Sequence, residues 1–463
     1  MEEKGKGRFV RGHVFPVVAL VACMALPPVV CAEQVVYRVW SGADGDCTDR
    51  ECHLQAALDA AESAPGVDHE LRLAQGTYSG NYLYLPAGDH TGALVLSGGW
   101  TQSSAFTART VDPTNTVLNG NGTGSVLRLN TYPGSRVLGD LTVEGVTLRQ
   151  GVAGGATGGV DNSGGGFFAL TNSTATLAVR RNILENNRAG GDGGGCLLLA
   201  GGPEDGDAEG ILYLEDTIIR HNVATGFMDG ADQEGGDGGG CNIIVRGQAI
   251  IRNNLVHDNR AGGADSGQTF AGFGGGLYVE IMKGSASLVN NTLTANQAFS
   301  PPGSSEGDGG GFYLMTDEEA APATAFLSNS IFYGNFHNRA DAGKDIRIGE
   351  YNGTVTISHC DYGSKTQEVT PAEIANIQAD PRFSGDSNSL FYLTFGSPCV
   401  DTGDNAALYI PATDLAGEVR PGDGNDDGIP VTNMGCYERV VEEDFSWSMF
   451  LPAINAAARR IKN

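Results

Sequence analysis

The segment with the plainest capacity for chemistry is the acidic run Asp423-Gly424-Asn425-Asp426-Asp427-Gly428. Oxygen-bearing side chains alternate at Asp423, Asn425 and Asp427 before the turn-making Gly428, which matches the first half of an EF-hand-like calcium loop. A complete loop has a bidentate glutamate at its twelfth position. Met434 stands there, so another carboxylate such as Glu438 would have to close the shell. Calcium is the cofactor to expect, and an unoccupied acidic turn is the plain alternative. A second acidic set, Asp192, Asp237 and Asp308, directly precedes runs of three glycines. If those runs stack, Asp192 and Asp237 lie about 5 Å apart, where exposed carboxylates repel unless splayed or bridged by a cation. Splaying into water is the expectation.

Aromatic side chains supply a different chemistry. Phe227, Phe270, Phe273 and Phe299 fall in polar segments beside Asp229, Asp232, Glu234, Asp265 and Glu306. Aromatic faces next to carboxylates suit a carbohydrate or peptide surface, and solvated linkers are the other reading. His221 and His257 should face opposite sides of their strands, which argues against a shared metal or an acid/base pair. Seven cysteines follow residue 32, and Cys47 and Cys52 are close enough for a local disulfide. Cys196 and Cys241 follow their glycine runs at equivalent positions and are expected as stacked core residues; Cys360 has no evident partner.

The elements that position these groups follow from an internal repeat. ILENN, IIRHN, LVHDN, TLTAN and IFYGN end at Asn187, Asn222, Asn259, Asn296 and Asn335, and VTLRQ ends one unit earlier at Gln150. The spacing is 35 to 39 residues, with a glycine triplet and an apolar strand between marks (Gly164, Gly193, Gly238, Gly274 and Gly309 begin the triplets). Helical repeats would need long stretches of 3.6-residue periodicity, and glycine costs a helix about 1 kcal/mol per position. Short strands at constant period instead predict an all-β fold, a right-handed parallel β-helix with a short N-terminal capping helix built on Leu54, Ala57, Leu58 and Ala61. Each coil-position residue then forms a column, and asparagine suits the turns because it tolerates left-handed φ and bonds its neighbour along the column. The marks are therefore structural. Segments 223 to 237, 260 to 273 and 297 to 308 all lie between mark and triplet, so the extra length emerges along one edge, where repeat proteins commonly bind.

The Gly309–Phe312 and Phe332–Asn335 signatures resemble repeats of polymorphic outer-membrane proteins and of secreted pectin-lyase-like β-helix proteins. The entry segments Asp44–Ala61, Leu71–Tyr78 and Leu96–Trp100 resemble bacterial β-helix proteins with a choice-of-anchor Q region. So do the exit segments Asp380–Phe383, Ser397–Gly403, Asp414–Pro421 and Met434–Glu438. The resemblance implies a secreted or surface-displayed β-helix. It also implies alanine where Cys399 and Cys436 stand, so the paired replacement points to a Cys399–Cys436 disulfide. Asn433 replaces the family's usual aspartate. The fold class hosts polysaccharide lyases and hydrolases, yet there is no GHG element, and the RIK at Arg460-Ile461-Lys462 lies outside the repeats. Arg181, Arg220 and Arg252 are the main strand bases a lyase could use.

Charge and termini complete the expectations. The 463-residue chain has 69 glycines and 18 prolines without a three-residue period, which excludes collagen, and 40% hydrophobic residues, which excludes wholesale disorder. Its net charge of −26 disfavours nucleic acid. Residues 1–32 have the layout of a signal peptide, with cleavage near Ala32 favoured over lipidation at Cys23. The expected organisation continues with 33–110 as cap and first coils, 111–345 as repeats, 346–440 as C-terminal coils with the choice-of-anchor Q-like region, and 441–463 as a tail. The expected function is an exported, monomeric binding or adhesion scaffold for a polysaccharide or surface protein, with no transmembrane segment in the mature chain and no evident catalytic residue. A calcium-assisted lyase or glycoside hydrolase is the alternative.

Overall fold

A computed structural model describes residues 34–439, apart from 44, 46, 48, 131–134, 155–161, 203–207, 230–231, 266–267, 304–306, 317–321, 340–342 and 387–389. The expected signal segment, the tail and Arg460-Ile461-Lys462 lie outside the described residues.

Five central coils each start at a glycine triplet, and its three glycines answer two demands. The first takes left-handed backbone, with φ of 64° at both Gly193 and Gly238. The other two admit the neighbouring coil: a Cβ on Gly194 would lie 2.4 Å from Gly239 O, and one on Gly195 would lie 2.5 Å from Gly240 O. After the triplet come strands such as Cys196–Ala200 and Gly210–Glu215, then Ile218–Arg220, then the two-residue Val223–Ala224. Successive coils pair in parallel, which gives a 19-stranded sheet, a nine-stranded second sheet and a narrow six-stranded strip. The fold is the expected parallel β-helix.

Register makes the core. Leu127, Phe167, Cys196, Cys241, Leu277, Phe312 and Ile346 form one inward column and are fully buried. Leu118, Leu148, Leu184, Ile219, Val256, Leu293 and Phe332 form the facing column of the second sheet. At the narrow strip the walls converge, and only small side chains fit: Ala153, Ala189, Ala224, Ala261 and Ala298 repeat until His337. Each fully buried Leu, Ile or Phe contributes about 1.5–3 kcal/mol. Helix Leu54–Glu62 closes the N-terminal end of the core with Leu54, Ala57, Leu58 and Ala61, and its first turn is capped by His53 Nδ1, which accepts from Ala56 N.

The parallel register also corrects one expectation. Cys196 and Cys241 are disulfide-bonded instead of merely stacked, because adjacent parallel strands bring their Cα atoms to 4.6 Å, inside the range a disulfide spans. Cys47 and Cys52 are bonded as well.

The C-terminal region departs from the coil expectation. Strands end at Ala372–Ile374, and residues 377–439 fold back over the outward side of the second sheet. Gly435 N donates to Asn329 O at 2.7 Å, Cys436 N to Thr292 Oγ1 at 3.0 Å, and Arg252 Nη1 to Tyr409 O at 3.0 Å. The physical reason is apolar surface: Ile331 packs with Leu393, Cys399 and Met434, and Leu255 packs with Cys436 and Tyr437. Among the described residues no helix is long and apolar enough to cross a membrane.

Candidate functional site

The asparagine marks are buried and form a ladder. Asn187, Asn222, Asn259 and Asn296 each pass their side-chain amide to the Oδ1 of the next, at 3.0 Å, and Asn335 ends the row on Asp345 Oδ1 at 3.0 Å. Gln150 is not its first member: it takes left-handed φ like Asn186, and Gly151 N is the group that donates to Asn187 Oδ1. A second ladder runs one turn earlier through Asn182, Thr217, Asn254, Asn291 and Ser330.

The edge between ladder and triplets carries the extra length as hairpins. Phe227–Asp229 pairs antiparallel with Asp232–Glu234, and Gly263–Asp265 with Gln268–Phe270, on consecutive coils. Phe227 opens the first hairpin. Phe270 is not a surface residue of the ridge, being only 4% exposed where the second hairpin rejoins the coil. Phe273 stays half-buried and packs edge-on against Tyr313 at 4.8 Å, and Tyr313 stacks on Tyr278 with centroids 5.3 Å apart and planes 3° from parallel. Phe299 lies 6.2 Å from the exposed Phe336.

The acids at the base of this edge do not splay. Asp192 Oδ1 accepts Asp237 N at 2.9 Å, and Asp237 Oδ1 accepts Phe273 N at 2.9 Å, so each carboxylate is a rung of a ladder. Main-chain donors relieve the repulsion that the spacing alone predicts. Asp308 is buried and accepts Gly309 N and Gly343 N, both at 2.7 Å. Burial pushes its carboxyl upward despite these amides and Arg347.

At the acidic turn, Asp423 accepts Asp427 N and Gly428 N, Asn425 Oδ1 accepts Asp427 N, and Asp427 Oδ1 accepts Ile429 N. Asp401 adds a third carboxylate by accepting Gly424 N and Asn425 N. Its carboxyl is pushed up, mainly by burial, with Asp423 and Asp427 adding repulsion. Glu438 does not join the turn. It is buried against Arg420 at 3.3 Å and accepts Asn433 N at 3.1 Å. Buried Asn433 accepts Asp401 N through Oδ1 at 2.7 Å.

Two further expectations change. His221 and His257 are neighbours, with ring centroids 5.6 Å apart, because left-handed φ at His221 turns its side chain out of strand alternation. His257 Nδ1 lies 2.6 Å from Asp258 Oδ2, and burial lowers its basicity although Asp258 opposes the shift. Cys399 and Cys436 are not bonded to each other. Met434 N donates to Cys399 O at 2.9 Å, which places Met434 beside Cys399, and Cys436 sits in a separate cluster with Leu255 and Tyr437. The candidate bases are occupied: Arg181 pairs with Glu144, Arg220 with Glu185 at 2.7 Å and Arg252 with Glu215 at 2.7 Å.

Fold and edge together define a β-helix with a hairpin-bearing margin. No family model matches the chain, and no curated protein matches it. Among solved structures, the crystal structure of pectate lyase Pel9A is similar with a TM-score of 0.41 and 14% identity, over 89% of this chain and 98% of that one. Nothing about this chain's ligand or chemistry follows from a likeness at that level.

Proposed function

We propose that the protein is an exported binding scaffold, working at the cell surface or outside the cell, that holds a polysaccharide along its hairpin-bearing edge. The observation that carries this reading is the pair of hairpins, Phe227–Glu234 and Gly263–Phe270, raised by consecutive coils at one corner. Two neighbouring projections above a hydrogen-bonded ladder give an extended ligand several contacts in line. Half-buried Phe273 lies beside them, backed by the buried Tyr278–Tyr313 stack. Pairing of Arg181, Arg220 and Arg252 with glutamates favours binding over base catalysis. A calcium ion at Asp423, Asn425, Asp427 and Asp401 would belong to the same reading as a brace of the folded-back C-terminal region.

The test replaces the hairpin tips, residues 229–232 and 264–269, with short Gly-Ser turns. Retention of the parent on a polysaccharide panel is compared with that of the variant while new reducing or unsaturated ends are followed. Loss of retention at unchanged melting temperature supports the scaffold. Turnover of any polysaccharide by the parent replaces it with the lyase or hydrolase reading.

A further inference from the structure

At the N-terminal end, a cleft of about 640 Å³ opens between the capping helix and the first rung of the second sheet. In a chain with 55 acidic residues its lining contains no Asp, Glu, Lys or Arg among the described residues. It is walled by hydroxyls, amides, one imidazole and two tyrosines.

Part of this wall is fixed in advance. Gln55 exchanges two hydrogen bonds with the backbone of Leu83, at 2.8 and 2.9 Å, and Asn81 is held by Ser125 O at 2.8 Å and by the Thr123 hydroxyl at 3.0 Å. His53 Nδ1 is committed to the helix cap. Other groups are left over. Ser41, Thr77, Ser79 and Tyr82 line the cleft, and among the described residues their hydroxyls make no hydrogen bond within the protein. Thr77 and Ser79 belong to Gly76–Ser79, the terminal strand of the second sheet, whose outer edge pairs with no strand. Gly80 N bonds inward to Asn119 O, and by parallel alternation the main-chain groups of Thr77 and Ser79 point the other way, to the free edge.

We propose that this cleft is a binding site for a neutral, hydroxyl-rich ligand, the end or a short stretch of an uncharged glycan. Its size is that of an ordinary small-ligand site. A charged ligand would lose water without meeting a counter-charge, whereas sugar hydroxyls both donate and accept, as the free strand edge and the four hydroxyls do. The site lies apart from the hairpin edge, and the proposal takes from the scaffold reading only the class of ligand.

The test is calorimetric titration of the full chain with maltohexaose, cellohexaose, xylohexaose and mannohexaose, with hexagalacturonate as the charged control. At least one neutral hexaose should bind and the control should not. Thr77→Arg and Ser79→Arg, both at exposed positions, should each weaken binding at least tenfold at unchanged melting temperature. Thr77→Val, which removes the hydroxyl without adding charge or bulk, should weaken it several-fold. Absence of binding by all four neutral sugars overturns the proposal, as does equal affinity in both arginine variants. The hairpin-tip variant separates the two sites. If it loses hexaose binding while Ser79→Arg keeps it, the ligand sits at the edge and the cleft assignment falls; the reverse pattern establishes the cleft whatever the fate of the edge.

Discussion

The carboxylate of Asp192 accepts the backbone amide of Asp237, 45 residues later in sequence and one coil away, at 2.9 Å. Two acids that charge alone would drive apart are joined through a neutral donor. The prediction distinguishes charge from bonding. Asp192→Asn keeps an acceptor and should leave the urea midpoint nearly unchanged, whereas Asp192→Ala strands the Asp237 amide and should cost about 1–2 kcal/mol. Equal midpoints for the two variants would show that this rung contributes nothing.

The Cys196–Cys241 bond closes a loop of 45 residues inside the core. Chain-entropy reasoning gives such a link a few kcal/mol, so Cys196→Ala with Cys241→Ala should lower stability by about 2–4 kcal/mol. Alkylation of the denatured, unreduced chain followed by peptide mapping should mark Cys360, Cys399 and Cys436 and spare the other four described cysteines. Marking of Cys196 would overturn the pairing.

Asp361 is fully buried, and burial pushes its carboxyl up to about 6 even though it accepts Ala379 N at 3.0 Å and the Cys399 thiol at 3.3 Å. A folded-state value above the unfolded one means that folding favours the protonated acid. Its stabilising contribution is therefore complete below about pH 4 and is lost as pH rises through about 6. Asp308, Asp345 and Glu438 shift the same way. Stability should fall between about pH 4 and pH 7, and Asp361→Asn should recover about 2 kcal/mol at pH 8 and little at pH 4. A flat difference across that range would contradict the burial of an ionising Asp361.

Calcium is the other quantity to vary. Extracellular oxygen-ligand sites bind at about 0.1 to 1 mM, and ligand at a hundredfold excess over its dissociation constant adds about 2.7 kcal/mol. Calcium at about 10 mM should thus raise the melting temperature by several degrees. Magnesium should not reproduce the rise, and the pair Asp423→Asn and Asp427→Asn should abolish it. No difference between calcium and chelator would leave the turn as a self-closed loop held by its own amides.

Which features were legible in the sequence depends on whether one residue type repeats. The glycine triplets and Asn187 through Asn335 recur as single letters, and both the fold and the first ladder follow from them. The second ladder hides because Thr217 and Ser330 supply hydroxyls where Asn182, Asn254 and Asn291 supply amides, so the column is constant in hydrogen bonding but not in letter. Phe270 looked like a loop residue, yet it rejoins the coil and is buried, a difference set by the length of its hairpin. The cleft left no trace, since Thr77 and Ser79 become notable only once their strand is known to end a sheet. The fold-back of residues 377–439 depends on apolar residues such as Leu255 and Ile331 facing outward, and alternation alone does not say that such a face will be covered.

The alanine strip bears on how a chain like this can change size. Ala189, Ala224, Ala261 and Ala298 occupy a narrow buried corner, and each of their coils must also keep its triplet and its ladder groups in register with the next. An insertion within a paired strand would misalign all of these at once, while one between ladder and triplet, or at the bend where Ala200 and Gly210 flank nine residues against one in the next coil, disturbs none. Length is therefore quantised along the axis and continuous at the bends: the body can grow only by whole coils, and the hairpins and bends are the parts free to diverge between relatives built on the same plan.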